Sequence, residues 1–370
     1  MKWVFWLSLG LIVYAYAGFP MWLWLRSRLR PRPVKTAPIE PSISIVIAVH
    51  NEAAVFPAKL ANLAQLDYPA DRIEVIVVSD HSTDTTNQIV AAHAGERLRL
   101  IVLSEHQGKA VALTHAIQAA HGEILVFMDA RQRIETGALR RLVSNFADPE
   151  VGCASGELMI GDGQESTSGA GAYWKMEKMI RQWESASGSV VQATGAFYAV
   201  RRDLAVPVPA GPILDDVYLP MHVVRQGKRV VFEPEARAWD TWETNSKQEF
   251  RRKVRTLTGN YQLLQLAPWL LTRANPIRLE FISHKLLRLF IPFALVCALL
   301  SSLLLEGALF SLAAITQIAF YGLSLLAPLC SRMKTVGKLA SVPLTFLVLN
   351  TAAVVALVRF VTRRTEVWSR

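Results

Sequence analysis

Ile43-Ser44-Ile45-Val46-Ile47-Ala48-Val49 runs directly into His50-Asn51-Glu52, and that junction decides the reading of the chain. Two further stretches repeat it: Ile73–Val78 leads into Ser79-Asp80, and Ile124–Met128 leads into Asp129. Each is a near-continuous run of β-branched and aliphatic residues rather than an alternation, the pattern of a strand buried on both faces. Helix-like segments separate them at Ala53–Leu66, Thr85–Ala94 and Ala110–Ala120, with a further strand at Leu98–Leu103. This βαβαβαβ order predicts an α/β domain built on a mostly parallel, doubly wound sheet flanked by helices. Ligands of such sheets bind at the carboxyl ends of the strands. Three strands therefore deliver Glu52, Asp80 and Asp129 to one rim, where carboxylates suit a cation-bridged phosphate or a sugar.

Beyond Asp129 the pattern changes. Strands are expected at Gly152–Ile160, Thr194–Val200 and Arg229–Phe232, and helices at Tyr173–Ser185 and from Asp215-Asp216 to near Gly227. Gly161–Gly171 is Gly/Ser-rich and reads as a mobile loop. Phe250–Gln265 is a basic amphipathic helix, and Trp269–Phe281, with Trp269, Leu270 and Leu271 beside Arg273 and Arg278, suits an interfacial helix.

The 370 residues are 52% hydrophobic, and the apolar excess sits at the two ends. Trp3–Leu25 is an apolar run followed by Arg26, Arg28, Arg30 and Arg32, long enough for an uncleaved anchor, since about 20 apolar residues span a bilayer. Leu286–Pro328 is nearly free of charge around a turn at Glu306-Gly307 and fits two spans, and Leu339–Leu357 adds one more. The expected division is an anchor at 1–25, a basic Pro-rich linker at 26–41, the α/β domain at 42–265, an interfacial helix at 266–285 and about three membrane helices at 286–361. Basic residues at Arg26–Lys35 and in the loop Ser331–Lys338 place the α/β domain on the cytoplasmic side of a multi-pass inner (plasma) membrane protein, while Arg359, Arg363, Arg364 and Arg370 in the tail oppose that topology. The net charge of +10 is concentrated beside membrane segments and in Arg251–Arg255. Lipid headgroups or a diphosphate are therefore the expected partners, and no nucleic acid is. Cys153, Cys297 and Cys330 show no metal spacing and imply no disulfide framework.

Most candidate residues have an ordinary reading beside the functional one. Asp80 reads as a contact to a base N–H or a ribose hydroxyl, and Asp84 as a helix cap. Lys109, after Gly108 at a helix start, is either a phosphate contact or a solvated lysine. Asp129 would hold a divalent cation, but the sequence Asp129-Ala130-Arg131 lacks a second carboxylate. Asp215-Asp216 is a helix N-terminal signature and a candidate general base. Arg251, Arg252, Lys253 and Arg255 clamp phosphates or face headgroups. His50, His81, His106 and His222 show no metal spacing and read as surface or capping residues.

Taken in order, Ile43–Glu52, Val77–Thr86, Gly108–Ala116, Phe127–Asp129, Thr194–Arg201, Leu214–Gly227 and Arg251–Gln262 resemble the blocks of processive-type family-2 membrane glycosyltransferases, the hyaluronan, cellulose, chitin and poly-N-acetylglucosamine synthases. The resemblance covers roughly residues 40–265 and includes the layout of membrane segments. It implies a GT-A-type fold and an inverting hexosyl transfer from a nucleotide diphosphate sugar, UDP-linked by expectation, with Mg²⁺ or Mn²⁺ held by Asp129. By position it assigns donor binding to Val49, Asn51, Glu52, Asp80, Lys109, Asp129 and Arg255, and the acceptor and pyrophosphate region to Thr194, Gly195, Asp215, Arg251 and Arg252. Asp216 becomes the base that deprotonates the acceptor hydroxyl.

Two departures bear on the product. Arg131 replaces the second Asp of D-x-D, and Arg252 and Thr256 stand where Q-x-x-R-W has Gln and Trp. Loss of that Trp opens the alternative of single-sugar transfer to a polyprenyl-phosphate or glycolipid, beside extension of a polysaccharide. Trp242, Tyr261 and Trp269 are the aromatics nearby. A non-catalytic subunit of a polysaccharide assembly complex is the reading from another class. Saccharide or lipid-linked acceptors and membrane lipids are the expected partners, and oligomeric state is not legible.

Overall fold

The computed structural model describes residues 1–161, 169–211, 214–240, 246–330 and 334–362. The strands are β1 (Ile43–Val49), β2 (Ile73–Ser79), β3 (Leu98–Val102), β4 (Ile124–Met128), β5 (Arg133–Ile134), β6 (Val151–Ile160), β7 (Phe197–Arg201) and β8 (Arg229–Asp240). They form one sheet in the order β3-β2-β1-β4-β7-β6-β8-β5. β1 to β4 are mutually parallel, β7 runs antiparallel to both β4 and β6, β8 is parallel to β6, and β5 closes the edge against β8. The mostly parallel, helix-flanked sheet expected from the sequence is the one observed.

All seven residues of β1 are buried, because both faces of the strand are covered. Ile43, Ile45, Ile47 and Val49 pack on one side with Phe56, Val90, Leu139 and Leu142. Val46 and Ala48 pack on the other with Leu113, Ala116, Val217 and Met221. The period of two along the strand thus splits the interior into two layers, and each fully buried aliphatic side chain contributes on the order of 1.5–3 kcal/mol.

Two elements differ from the sequence reading. β8 continues well past Phe232 to Asp240, and β5 is a two-residue strand that no pattern signals. In the second half of β8 Ala236, Ala238 and Asp240 are buried while Glu233, Glu235 and Arg237 are not, so the apolar run that marks a doubly covered strand is missing there. The expected interfacial helix at Trp269–Phe281 is broken. A 3₁₀ turn spans Pro268–Leu271 and the helix starts at Arg278. Asn275, fully buried, explains the break: its amide donates to the Leu270 carbonyl (2.9 Å) and its oxygen accepts from the Ile277 N–H (3.1 Å), with Pro276 next in sequence.

Among the described residues, four helices are long and apolar enough to cross a membrane: Lys2–Leu29, Arg278–Leu304, Ala308–Leu325 and Ser341–Val361. The turn between the second and third falls at Gly307, whose φ of 126° suits glycine alone. The first two helices each contain a π-turn, at Tyr14–Gly18 and Ile282–Leu286, and the turns meet through Tyr14 Oη and Ser283 Oγ at 2.9 Å. Lys2–Leu29 is also tied to Arg278–Leu304 by an ion pair between Arg26 and Glu280. Outside the described residues lie 162–168 of the glycine-rich stretch, Trp242, Arg332 and tail residues Arg363, Arg364 and Arg370.

Gly122, just before β4, sits against the β1 backbone; a Cβ there would lie 2.5 Å from Ile43 C and Ser44 N. Gly122→Ala is expected to destabilise the domain by about 1–3 kcal/mol, since backbone cannot give way as a side-chain tip does. Gly137→Ala, where nothing lies within 4 Å of the added methyl, is expected to be neutral. Thermal melts of the two variants in detergent check the contrast.

Candidate active site

The sheet topology brings the rim together. β1, β2 and β4 are parallel, so Val49, Ser79 and Met128 end on one side with Asn51, Glu52, Asp80 and Asp129 just beyond. β7 is antiparallel to β4 with Phe197 opposite Met128, so its incoming residues Thr194-Gly195 reach the same rim. β8 ends there too, at Asp240, because it is parallel to β6 and β6 opposes β7.

Asp80 is fully buried and organises a loop. Its Oδ1 accepts from the Gln107 N–H (2.8 Å) and its Oδ2 from the Gly108 N–H (2.7 Å), while His106 Nδ1 lies 2.8 Å from Oδ2. These bonds hold Gly108 at φ 90° and start the helix Lys109–Ala119. His50 Nδ1 donates to the Asp80 carbonyl (2.6 Å), and the two imidazole rings lie 4.2 Å apart. His50, Asp80 and His106 each offer a ligand atom within 4.8 Å of the others. Both carboxylate oxygens already accept backbone N–H bonds and both imidazoles serve this aspartate, so the cluster is a hydrogen-bonded knot. The sequence reading, which gave these histidines ordinary roles, had no means of pairing residues so far apart.

Asn51, at φ 56°, staples the ends of β1 and β2. Its Oδ1 accepts from the Thr83 N–H (2.8 Å) and the Asp84 N–H (3.3 Å). Asp84 caps the helix Thr86–Ala91 through the Thr86 N–H (2.9 Å), as expected. Slight burial opposes its ionisation, but bonds from Thr86 and Ala53 hold its pKa below the ordinary carboxylate value. The Glu52 N–H donates to Thr86 Oγ1 (2.8 Å), and the Val49 carbonyl accepts from the Asp80 N–H (2.8 Å).

Lys109 joins the two acidic clusters that the sequence kept separate. Its Nζ lies 3.0 Å from Asp129 Oδ1 and 3.3 Å from Asp215 Oδ1. Burial works against the ammonium, but Asp129 and Asp215 together hold its pKa above the ordinary lysine value. Asp215 also accepts from Tyr198 Oη (3.1 Å), whose ring is fully buried and stacked on Phe127 at 4.7 Å. Asp216 accepts from Gln192 Nε2 (2.7 Å), and its carbonyl from the Ala193 N–H (2.8 Å). Burial, then the adjacent Asp215, pushes its pKa up to about 6. Gly195 faces it so closely that an added Cβ would sit 3.3 Å from Asp216 Oδ2. Thr194 Oγ1 accepts from Arg181 (2.7 Å).

Arg131, in the place of a second rim carboxylate, pairs with Asp240 (3.0 Å), which also accepts from Gln132 Nε2 (2.9 Å). Lys59 is buried behind them and donates to the Gln132 carbonyl; burial lowers its pKa to about 8 against the pull of Asp129. On the helix Ser246–Leu266, Arg251 and Arg255 are exposed and Arg252 half-buried, whereas Lys253 lies over the rings of Tyr173 (5.1 Å) and Trp174 (4.8 Å). Tyr261 stacks on Phe360 at 5.2 Å, and Trp269 packs edge-on to His222 and under Arg225. Sequence reasoning missed Lys59, Gln192, Tyr198, Asp240 and Lys285, whose Nζ donates to Gln192 Oε1; none stands in a motif-like spacing.

Residues 44–205 match the family described as Glycosyl transferase family 2. A beta-monoglucosyldiacylglycerol synthase of Nostoc sp. (strain PCC 7120 / SAG 25.82 / UTEX 2576) is 32% identical over 168 residues, 44% of this chain and 36% of that protein. An N-acetylglucosaminyltransferase of Bradyrhizobium elkanii is 30% identical over 130 residues, 34% of this chain and 71% of that one. A mannosyltransferase from Pyrobaculum calidifontis, solved with GDP-Man and Mn²⁺, superposes with a TM-score of 0.74 at 22% identity, over 98% of this chain and 99% of that one, which shows a shared fold. The chain spans between 36% and 57% of the length of the glucosyldiacylglycerol synthases it matches.

Asp80→Asn is expected to destabilise the domain by about 1–3 kcal/mol, because an amide NH₂ replaces one of the acceptors that the Gln107 and Gly108 N–H groups need. The drop in melting temperature measures it.

Proposed function

The chain belongs to glycosyltransferase family 2, and on that premise we propose that it transfers one hexosyl group, with inversion, from a nucleotide diphosphate sugar to a membrane-borne lipid acceptor. The observation that carries this is Asp216. It is a carboxylate at the strand-end rim, raised to about 6 by burial and by Asp215, and beside a lysine that balances its neighbours. A base with a pKa just below neutral is ionised at neutral pH and still takes a proton from a hydroxyl as that oxygen becomes the nucleophile.

In this reading the acceptor oxygen forms its bond to the anomeric carbon as the bond to the diphosphate oxygen breaks. The hydroxyl proton goes to Asp216 and the electron pair leaves on the diphosphate. Lys109 lies where that charge develops, and preorganised charge in a partly dry site is the larger catalytic factor. Asp129, with a side chain 39% exposed, has the oxygen chemistry for Mg²⁺ or Mn²⁺. Such ions take one or two carboxylates and complete their shell with phosphate and water, so a single rim carboxylate fits. When bound, the ion supplies further neutralisation of the diphosphate. Asp80 and Asn51 shape the loops that meet the nucleotide. Arg251 and Arg255, on the exposed face of their helix, are proposed to meet the diphosphate, with Arg252 beside them.

The lipid acceptor is supported by the apolar helices, one of which reaches Gln192 beside Asp216 through Lys285, by the similarity to glucosyldiacylglycerol synthases, and by Thr256, which offers no aromatic platform for a growing chain. The similarity to an N-acetylglucosaminyltransferase supports the second reading, extension of a saccharide. The basic segment Arg26–Lys35 supports a site on the cytoplasmic face of the inner membrane. Membranes carrying the protein, offered labelled UDP- and GDP-sugars, decide between the acceptors. The proposal expects label in an organic-soluble product one sugar larger than its acceptor. Label in a water-soluble high-molecular-weight polymer would replace it by the second reading, and no transfer from any donor by the non-catalytic one.

Asp216→Asn is expected to lower kcat by about 10²–10⁴-fold with donor affinity nearly unchanged. Wild-type kcat is expected to rise with pH through about 6, as the raised carboxyl ionises, and then level off. Chelation is expected to abolish turnover, with Mg²⁺ or Mn²⁺ restoring it, and Asp129→Ala to raise the KM for donor. Turnover that survives chelation would leave the diphosphate charge to Lys109 and the arginines.

A further inference from the structure

We propose that Lys285, acting through Gln192, is a positioning residue for Asp216, so that an apolar helix forms part of the surroundings of the catalytic base. The inference rests on the reading of Asp216 as that base.

The chain of contacts is short. Gln192 donates through Nε2 to Asp216 Oδ2 at 2.7 Å, and its Oε1 accepts from Lys285 Nζ. A carboxamide between a carboxylate and an amine nitrogen has one satisfactory orientation. Flipped, it would turn its carbonyl to the carboxylate and its NH₂ to the lysine. Lys285 therefore fixes the orientation of Gln192, and Gln192 fixes the rotamer of Asp216. On the other side Gly195 leaves space for the carboxylate, since a Cβ added there would sit 3.3 Å from Asp216 Oδ2.

Lys285 is itself held in place. It lies in the π-turn Ile282–Leu286, at the entry to the apolar helix Arg278–Leu304. Its neighbours in the turn are anchored elsewhere. Ser283 Oγ bonds Tyr14 Oη, and His284 lies between Glu184 (2.7 Å) and Glu177 (3.2 Å). Arg288, one turn on, pairs with Glu177. Burial opposes the charge on Glu177, but Arg288 and His284 hold its pKa well below the ordinary value. With Ser283, His284 and Arg288 committed to other elements, Lys285 is the residue of this turn that reaches the rim. A π-turn costs regular helical bonding and is frequent where a helix serves a site. An ionisable side chain at the edge of an apolar span is likewise expensive unless it is used.

Among the described residues, the charged and titratable groups that face Asp216 are Asp215, Lys109 and Lys285, with Tyr198 beyond Asp215 and Glu177, Glu184 and Arg288 beyond Lys285. Lys109 is shared between Asp129 and Asp215, so Lys285 with Gln192 is the arrangement directed at Asp216 itself. It favours the ionised base, against burial and Asp215. Without it the carboxyl protonates at higher pH.

The test is the pH dependence of kcat for the full chain in detergent or nanodiscs, comparing wild type, Lys285→Met, Lys285→Arg, Gln192→Leu and Asp216→Asn. The wild-type acid limb near pH 6 is expected to move up by about one unit in Lys285→Met and in Gln192→Leu. That is about a fivefold loss of kcat at pH 6, approaching tenfold below about pH 5, and little loss at pH 9, with the KM for donor within about twofold and Lys285→Arg close to wild type. Gln192→Leu keeps the charge in the apolar helix and so reads the relay even if Lys285→Met folds poorly. An acid limb that stays in place in Gln192→Leu, or a loss that is equal at all pH values, overturns the relay while leaving Asp216 as base. Wild-type turnover in Asp216→Asn overturns the base assignment, and the relay with it.

Discussion

One ammonium group holds the acidic rim together. Asp129 leaves β4, and Asp215 and Asp216 open the helix Asp215–Arg225, so three carboxylates meet at one place. Like charges at such distances disfavour one another's ionisation. Lys109, at 3.0 Å from Asp129 and 3.3 Å from Asp215, offsets that repulsion and fixes the spacing between the sheet and the helix. The position of Lys109 depends in turn on Asp80, which gathers the Gln107 and Gly108 N–H groups into the start of its helix. Asp80 and Lys109 thus act in sequence: one shapes the loop, and the other spans the acids.

The parallel half of the sheet was legible because its strands are buried on both faces and lie close in sequence. β1, β2 and β4 announce themselves as unbroken aliphatic runs, and the residue after each run lands on the rim by topology alone. β5 and the far half of β8 carry no such signal, since only alternate β8 residues are covered there. The same contrast holds in the site. Asp80, Lys109, Asp129 and Asp216 stand at element ends, where spacing says something. Gln192 and Lys285 are residues of ordinary type whose meeting bridges a separation of 93 positions in the chain. On the basic helix Lys253 lies over two aromatic rings, a contact that spacing does not announce, while Arg255 stays on the exposed face.

Arg131 illustrates how one substitution reorganises its neighbourhood. A second carboxylate there would add to an already acidic rim. The arginine instead turns to Asp240 at the end of β8, and Gln132 shares that partner, so the edge of the sheet is fastened to the β4 loop. The rim keeps Asp129 with Lys109 beside it, and Arg131 reaches the end of β8 through its pair with Asp240.

The contact between the two π-turns has a bearing on biogenesis. Tyr14 and Ser283 lie 269 residues apart, and Arg26 and Glu280 lie 254 apart. A chain synthesised from its N-terminus therefore exposes its first apolar helix long before the partner of that helix exists. Every strand of the sheet is also complete by Asp240, while Lys285 is still to come. Domains fold as units as they emerge, so the sheet and its rim are assembled while Asp216 and Gln192 still lack their contact to Lys285. Competence would then be a late event, reached when the later helices dock, and a chain that stalls before that point would carry a folded but unfinished site.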